Sequence, residues 1–116
     1  MKFSKSLKLN HVFRRLYHTS GQANSYLVLY ARPNRLTTNR VGITVGKKLG
    51  KAVIRNRVRR RLREIYRTNE LRLAPGWDIV VVARVKAVYA RYSDLERSFL
   101  QTARRLELLT SGEEGR

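Results

Sequence analysis

The chain has 116 residues, 42% of them hydrophobic, which is enough for one small core and too little for two. Lysine and arginine number 26 against 8 aspartates and glutamates, so the net charge is +18 and we expect a polyanionic partner. The chain has no cysteine, which excludes disulfides and thiolate metal sites and favours a cytoplasmic protein.

The first predicted element is a short amphipathic helix between Asn10 and Gly21. Asn10 is a suitable N-cap and Gly21 is a suitable residue to end a helix. Between them, apolar and aromatic residues recur at helical spacing: Val12, Phe13, Leu16 and Tyr17. The residues before this helix contain no apolar run of the length that a secretion signal needs, and no part of the chain approaches a membrane span. We therefore expect no membrane partner.

Two strands are predicted next. The segment Tyr26–Ala31 is rich in aromatic and branched residues and places Tyr26, Val28 and Tyr30 on one face. The segment Val41–Val45 predicts a second strand. The spacing of the two strands suits a hairpin with a long loop.

The second half of the chain predicts a helix, a strand and a final helix. Apolar residues recur at helical spacing over residues 54–66, and the continuous apolar run Ile79–Ala83 is typical of a central strand buried on both faces. Ser93 and Glu96 have the spacing of a capping box at the start of the last helix. We predict a single domain over residues 1–109 and a flexible tail over residues 110–116.

The most strongly charged part of the chain runs from Lys47 to Arg67, with ten basic residues and one acid, Glu64. In a helical register the apolar residues dock one face while arginines cover the other. Like charges one turn apart destabilise an isolated helix, so the near absence of acids favours phosphate contact over an ordinary solvated face. Arginine predominates, and its planar guanidinium binds phosphate through two hydrogen bonds and stacks on bases. This segment predicts a nucleic-acid interface but does not decide between RNA and DNA.

The centre of this segment is Arg55-Asn56-Arg57. It follows a strand and a Lys47-Lys48-Leu49-Gly50 loop, and it is followed by Arg59-Arg60 and Arg63-Glu64. The whole stretch from Val41 to Glu64 resembles the signature of the bacterial ribonuclease P protein family, and the similarity extends over nearly the whole chain. Two residues depart from the family pattern: Gly46 stands where serine is usual, and Arg59 where lysine is common.

The resemblance implies the protein subunit of a ribonucleoprotein endonuclease that removes the 5′ leader from precursor tRNA. It implies an α+β fold, a two-layer sandwich in the order α-β-β-β-α-β-α, with about four strands in a mixed sheet and a left-handed crossover. The catalytic magnesium ions are expected on the RNA subunit, and the protein itself is expected to bind no cofactor or small-molecule substrate. The expected partners are the catalytic RNA and precursor tRNA.

The resemblance also assigns residues to these two partners. The expected contacts to the catalytic RNA are basic residues and one amide: Lys47, Lys48, Lys51, Arg55, Asn56, Arg57, Arg59, Arg60 and Arg63. The expected contacts to the single-stranded leader are aromatic and basic: Phe13, Tyr17, Tyr30, Lys8 and Arg14. Aromatic faces stack unpaired bases with little sequence preference, which suits a leader that varies between precursors. From the sequence alone, aromatic residues four apart on a helix are more often part of the core.

The residues do not predict a catalytic site in this chain. The eight carboxylates are scattered along the sequence, and His11 and His18 are seven residues apart, roughly 10 Å along a helix. Two other classes of function stay open: a ribosome-associated structural protein that binds RNA, and an independent small nuclease.

Overall fold

The computed structural model describes the backbone of residues 4–6 and the whole of residues 21–109. The helix predicted between Asn10 and Gly21 and the tail predicted over residues 110–116 lie outside the described residues. The described strands are β1 (Ser4–Ser6), β2 (Gln22–Ala23), β3 (Leu27–Pro33), β4 (Asn39–Thr44) and β5 (Trp77–Ala83). The described α-helices are α1 (Ala52–Asn69) and α2 (Tyr92–Arg105), and short 3-10 turns cover Lys47–Leu49, Glu70–Arg72 and Val85–Tyr89.

The strands form one mixed sheet in the order β1-β4-β5-β3-β2. Strands β1 and β5 pair with β4 in parallel, whereas β3 pairs antiparallel with both β5 and β2. The predicted α+β class and mixed sheet are confirmed, and so is the predicted strand at the centre, β5. About four strands were expected, and the five observed include β1 and β2, of three and two residues at the sheet edges. The left hand of the crossover from β4 through α1 to β5, which the family resemblance implies, stays a prediction.

The predicted hairpin between β3 and β4 is wrong, because β5 lies between them. Ile79, Val80 and Val81 are all buried, and only a central position removes both faces of this apolar strand from water. The chain crosses from β3 to β4 past the start of β5, where Asn34 accepts a bond from Leu36 N–H and donates to the side chain of Asp78.

The core lies between one face of the sheet and the two helices. It contains Leu27 and Leu29 of β3, the alternate residues of β4 and β5, and the apolar faces of α1 and α2. Leu95, Phe99 and Ala103 of α2 are buried, and the Phe99 ring is edge-on to Tyr66 at 6.2 Å between ring centres. These contacts confirm the two-layer sandwich.

Two local predictions are wrong. The capping box of Ser93 and Glu96 does not form: Arg91 is the N-cap of α2, and the Glu96 carboxylate accepts a hydrogen bond from Asn69 at 2.9 Å instead. Tyr26 does not share the outer face of β3 with Val28 and Tyr30. The strand begins one residue later, after a turn in which the Asn24 side chain accepts from the backbone N–H groups of residues 26 and 27, and Tyr26 packs against the main core.

No helix within the described parts of the chain has the length and apolar character needed to cross a bilayer.

Candidate nucleic-acid interface

Helix α1 carries its cations on the side that faces away from the sheet. Val58, Leu62, Ile65 and Tyr66 are buried, while Ile54 is partly buried against the core. Adjacent residues of a helix are about 100° apart, so the buried positions occupy one side and the arginines fall on the rest of the circumference. The sequence-predicted division of this helix into an apolar and a cationic face is observed.

Four arginines of α1 are exposed: Arg67 pairs with Glu64, and the other three are Arg57, Arg60 and Arg63. Within the part of the chain that the structure describes, none of the three forms an ion pair with a carboxylate. We call these three residues the arginine ridge. A guanidinium has five N–H donors, so each of these side chains is available to an anionic partner.

Three further arginines of α1 are held by neutral acceptors. Arg55 donates to the carbonyl of Gly50 at 3.2 Å, Arg59 to the side-chain oxygen of Asn56 at 2.8 Å, and Arg61 to the carbonyl of Ala90 at 3.1 Å. A neutral acceptor leaves the positive charge uncompensated and most of the N–H donors unused. These bonds therefore position the cations without neutralising them.

The Arg55-Asn56-Arg57 sequence spreads across the exposed half of the helix. Because Arg55 and Arg57 are about 200° apart around the axis, they lie on opposite flanks, with Asn56 between them on the outer side. Arg55 holds the preceding loop through Gly50, and Arg57 is exposed on the other flank. The two arginines of this motif therefore have different surroundings.

The loop before α1 adds exposed cations at the positive end of the helix dipole. Lys47, Lys48 and Lys51 are exposed, and Lys51 is the N-cap of α1 but makes no side-chain capping bond. The first turn has no acidic residue, so the free N–H groups of the helix end add to the positive potential. Gly50 has φ of 128°, a conformation that L side chains rarely adopt, and it permits the tight turn into the helix.

Gly46 and Arg59, which depart from the family pattern, are both compatible with this geometry. A Cβ atom added at Gly46 would meet nothing within 4 Å, and its φ of −76° suits any residue, so a serine would fit there. Arg59 keeps the positive charge and gains a bond to Asn56 that orders both side chains.

Glu64 is the single acidic residue of α1, and it pairs with Arg67 at 2.5 Å. The hydrogen bond from Arg67 lowers the pKa of the Glu64 carboxyl, so this group is ionised at neutral pH and offsets one cation of the exposed face. We expect Glu64→Gln to bind nucleic acid up to about fivefold more tightly at roughly 0.15 M salt, because Arg67 becomes free for one more phosphate contact. The measurement is a binding titration at several salt concentrations, with Glu107→Gln, an equal charge change on an exposed residue beyond α2, as the control. Equal affinities for the two variants would show that Arg67 lies outside the interface.

Tyr30, the one predicted leader contact within the described residues, lies on the opposite face of the sheet. Tyr30 is half-buried on β3 beside Val80 of β5, which is paired in turn with Gly42 of β4. The Tyr30 ring lies against the backbone of Gly21, where an added Cβ atom would come within 2.6 Å of it. The other predicted leader contacts, Lys8, Phe13, Arg14 and Tyr17, lie outside the described residues.

The described residues contain no group of three histidine, aspartate or glutamate side chains that could hold a metal ion.

Comparisons with known proteins identify relatives over the whole of this fold. The family model for ribonuclease P matches residues 1–107. The ribonuclease P protein component of Clostridioides difficile is 43% identical over 107 residues, which cover 90% of this chain and 94% of that protein. Among solved structures, the RNase P protein of Staphylococcus aureus superposes with a TM-score of 0.82 at 30% identity, covering 90% of this chain and 97% of that one. The RNase P protein of Thermotoga maritima gives 0.79 at 31% identity, covering 87% and 96%.

Proposed function

The chain belongs to the ribonuclease P protein family, and we propose that the face formed by α1 and its preceding loop binds the catalytic RNA of that ribonucleoprotein. As a family member it is an accessory subunit of the endoribonuclease that removes the 5′ leader from precursor tRNA. In this proposal the RNA subunit holds the magnesium ions and carries out the cleavage. The protein supplies cationic and aromatic side chains, and it acts in the cytoplasm.

The observation that supports this proposal most strongly is the arginine ridge. The three arginines of the ridge are exposed on one helix, and no described carboxylate pairs with them. Their positive charges repel one another, which raises the free energy of the free protein. A partner with regularly spaced phosphates removes that repulsion and releases counterions. The proposed RNA contacts are the nine residues named for this partner above: Lys47, Lys48, Lys51, Arg55, Asn56, Arg57, Arg59, Arg60 and Arg63.

We further propose that the leader of precursor tRNA contacts Tyr30 on the outer face of the sheet, and that Lys8, Phe13, Arg14 and Tyr17, which lie outside the described residues, also contact the leader. Strand β3 faces the core through Leu27 and Leu29, so the Tyr30 side of the strand is the side without α1 and α2. A partly exposed aromatic ring such as that of Tyr30 is suited to stack on an unpaired base.

Reconstitution tests the proposed function. Adding the chain to a bacterial ribonuclease P RNA is expected to increase cleavage of precursor tRNA at low magnesium, because the protein's cations replace part of the ionic screening that the RNA otherwise needs. The chain alone serves as the control and is expected to leave the substrate intact. Unchanged cleavage by the RNA would contradict the proposal, and cleavage by the chain alone would favour an independent nuclease.

Tyr30→Ala separates leader binding from RNA-subunit binding. We expect it to weaken the complex with precursor tRNA by at least about fivefold, because one stacked base is lost, and to leave mature tRNA unaffected. Binding of both tRNA forms is measured with the assembled ribonucleoprotein, and Tyr30→Phe, which keeps the ring, is the matched control. An equal loss for both forms would place Tyr30 in the supporting core instead.

A further inference from the structure

The segment of residues 84–91, between β5 and α2, lies beside the proposed interface but has no role in the function proposed so far. It contains three basic residues, Arg84, Lys86 and Arg91, and no acid. Strands β4 and β5 are parallel and adjacent, so their carboxyl ends reach the same edge of the sheet. The Lys47–Leu49 turn follows one strand and the Val85–Tyr89 turn follows the other, and the two turns are in contact.

This segment is held against α1 in a defined conformation. Ala87, Val88 and Ala90 are buried, and Arg61 of α1 donates a hydrogen bond to the carbonyl of Ala90 at 3.1 Å. Arg61 lies on the same flank of the helix as Arg57, which is four residues earlier. The cationic surface of α1 therefore extends from the flank of Arg57 and Arg61 onto this segment.

Tyr89 is the most exposed large hydrophobic side chain among the described residues, with 86% of its surface accessible. Residues three apart in a 3-10 helix lie on the same side, so Tyr89 shares one face of the turn with the exposed Lys86. An open groove of about 530 Å³ borders the same turn, lined by Asn24, Ser25, Arg84, Val85 and Lys86. An aromatic ring beside an ammonium matches the two parts of a nucleotide, the base and the phosphate.

We propose that Tyr89 stacks on an unpaired base of the catalytic RNA while Lys86 contacts a neighbouring phosphate. The inference rests on the proposed function and adds a second element to its RNA surface. A protein partner would need acidic groups opposite three cations, whereas RNA offers both the charge and the unstacked bases. The buried neighbours of Tyr89 fix the turn, so little conformational freedom is lost when the ring stacks.

The test compares Tyr89→Ala with Tyr89→Phe in titrations against a ribonuclease P RNA that the unaltered chain activates. Loss of one stacked base is expected to weaken binding by roughly 5- to 140-fold, and Tyr89→Phe is expected to bind like the unaltered chain. The salt dependence of Tyr89→Ala should stay unchanged because no phosphate contact is lost, whereas Lys86→Ala should reduce its slope by about 0.9. Leu71→Ala, at an exposed apolar residue beyond the far end of α1, is the matched control and should have no effect.

Unaltered affinity of Tyr89→Ala would overturn the inference, and so would an equal loss in Tyr89→Phe, which would assign the effect to the hydroxyl group. In either case, weak binding by a variant of the arginine ridge would leave the proposed function standing. If the unaltered chain itself failed to bind this RNA, the proposed function would fail instead. Thermal unfolding of each variant is measured alongside, and Tyr89→Ala should unfold at the same temperature because the side chain is exposed.

Discussion

Replacement of all three arginines of the ridge by alanine, Arg57→Ala, Arg60→Ala and Arg63→Ala together, is expected to weaken binding of the catalytic RNA about 170-fold at roughly 0.15 M salt. When a phosphate contact is lost, about 0.9 counterions stay bound to the RNA instead of being released. This lowers the affinity about 5.5-fold at that salt concentration. The affinity factors of three independent contacts multiply to give the expected value. The fold itself should be unaffected, because all three side chains are exposed and none forms an ion pair with a described carboxylate.

The slope of affinity against salt concentration is the decisive measurement for this variant. It should fall by roughly 2.7, or about 0.9 for each contact. The matched control is Arg97→Ala, Arg104→Ala and Arg105→Ala on α2, which removes the same charge from three exposed arginines outside the proposed interface. A general attraction between a basic protein and RNA would lower the slope equally in both triple variants. That result would contradict a defined contact surface on α1.

The cationic face could be predicted from the sequence because it depends on residues close together in the chain. The period of Val58, Leu62 and Ile65 fixes which side of α1 is buried, and the arginines must then lie on the other sides. The central position of β5 was predictable for a similar reason, since Val80 and its neighbours are apolar at every position.

The wrong predictions concern contacts between residues far apart in the chain. The hairpin of β3 and β4 satisfies every local rule, but β5 pairs with both strands and separates them. The spacing of Ser93 and Glu96 also satisfies a local rule, yet Glu96 receives its hydrogen bond from Asn69, which is 27 residues away. A local sequence pattern carries no information about β5 or Asn69 as a partner, because these residues become neighbours only in the folded chain.

The segment of residues 84–91 was not assigned a role from the sequence. The signal that could have identified it is the three-residue spacing of Lys86 and Tyr89 in a stretch with no acid. This spacing places the two side chains on one face only in a 3-10 turn. The structure shows that turn and its contact with the Lys47–Leu49 turn.

Arg40→Ala is expected to lower the free energy of unfolding by about 2–4 kcal/mol, a large fraction of the total stability of a small domain. Arg40 donates two hydrogen bonds to the Asp78 carboxylate, at 2.7 and 2.6 Å, and this pairing raises the pKa of Arg40 further above its usual range. The Asp78 side chain is 4% exposed and the Arg40 side chain 26%. Removal of the arginine therefore leaves a buried carboxylate with Asn34 as its one remaining described side-chain donor.

This ion pair matters for the proposed interface because it links β4 to β5 at the end of the sheet opposite the two basic turns. The loss is measured by urea denaturation, where the midpoint should fall while the slope stays constant. The double variant Arg40→Ala, Asp78→Asn should recover part of the stability, since a neutral amide is less costly to bury than an unpaired carboxylate. Arg97→Ala is the control, because its nitrogen lies 3.8 Å from Asp94 on a side chain that is 80% exposed, and it should change stability very little. A loss in the double variant as large as in Arg40→Ala would mean that packing of the arginine stem, and not its charge, stabilises this end of the sheet.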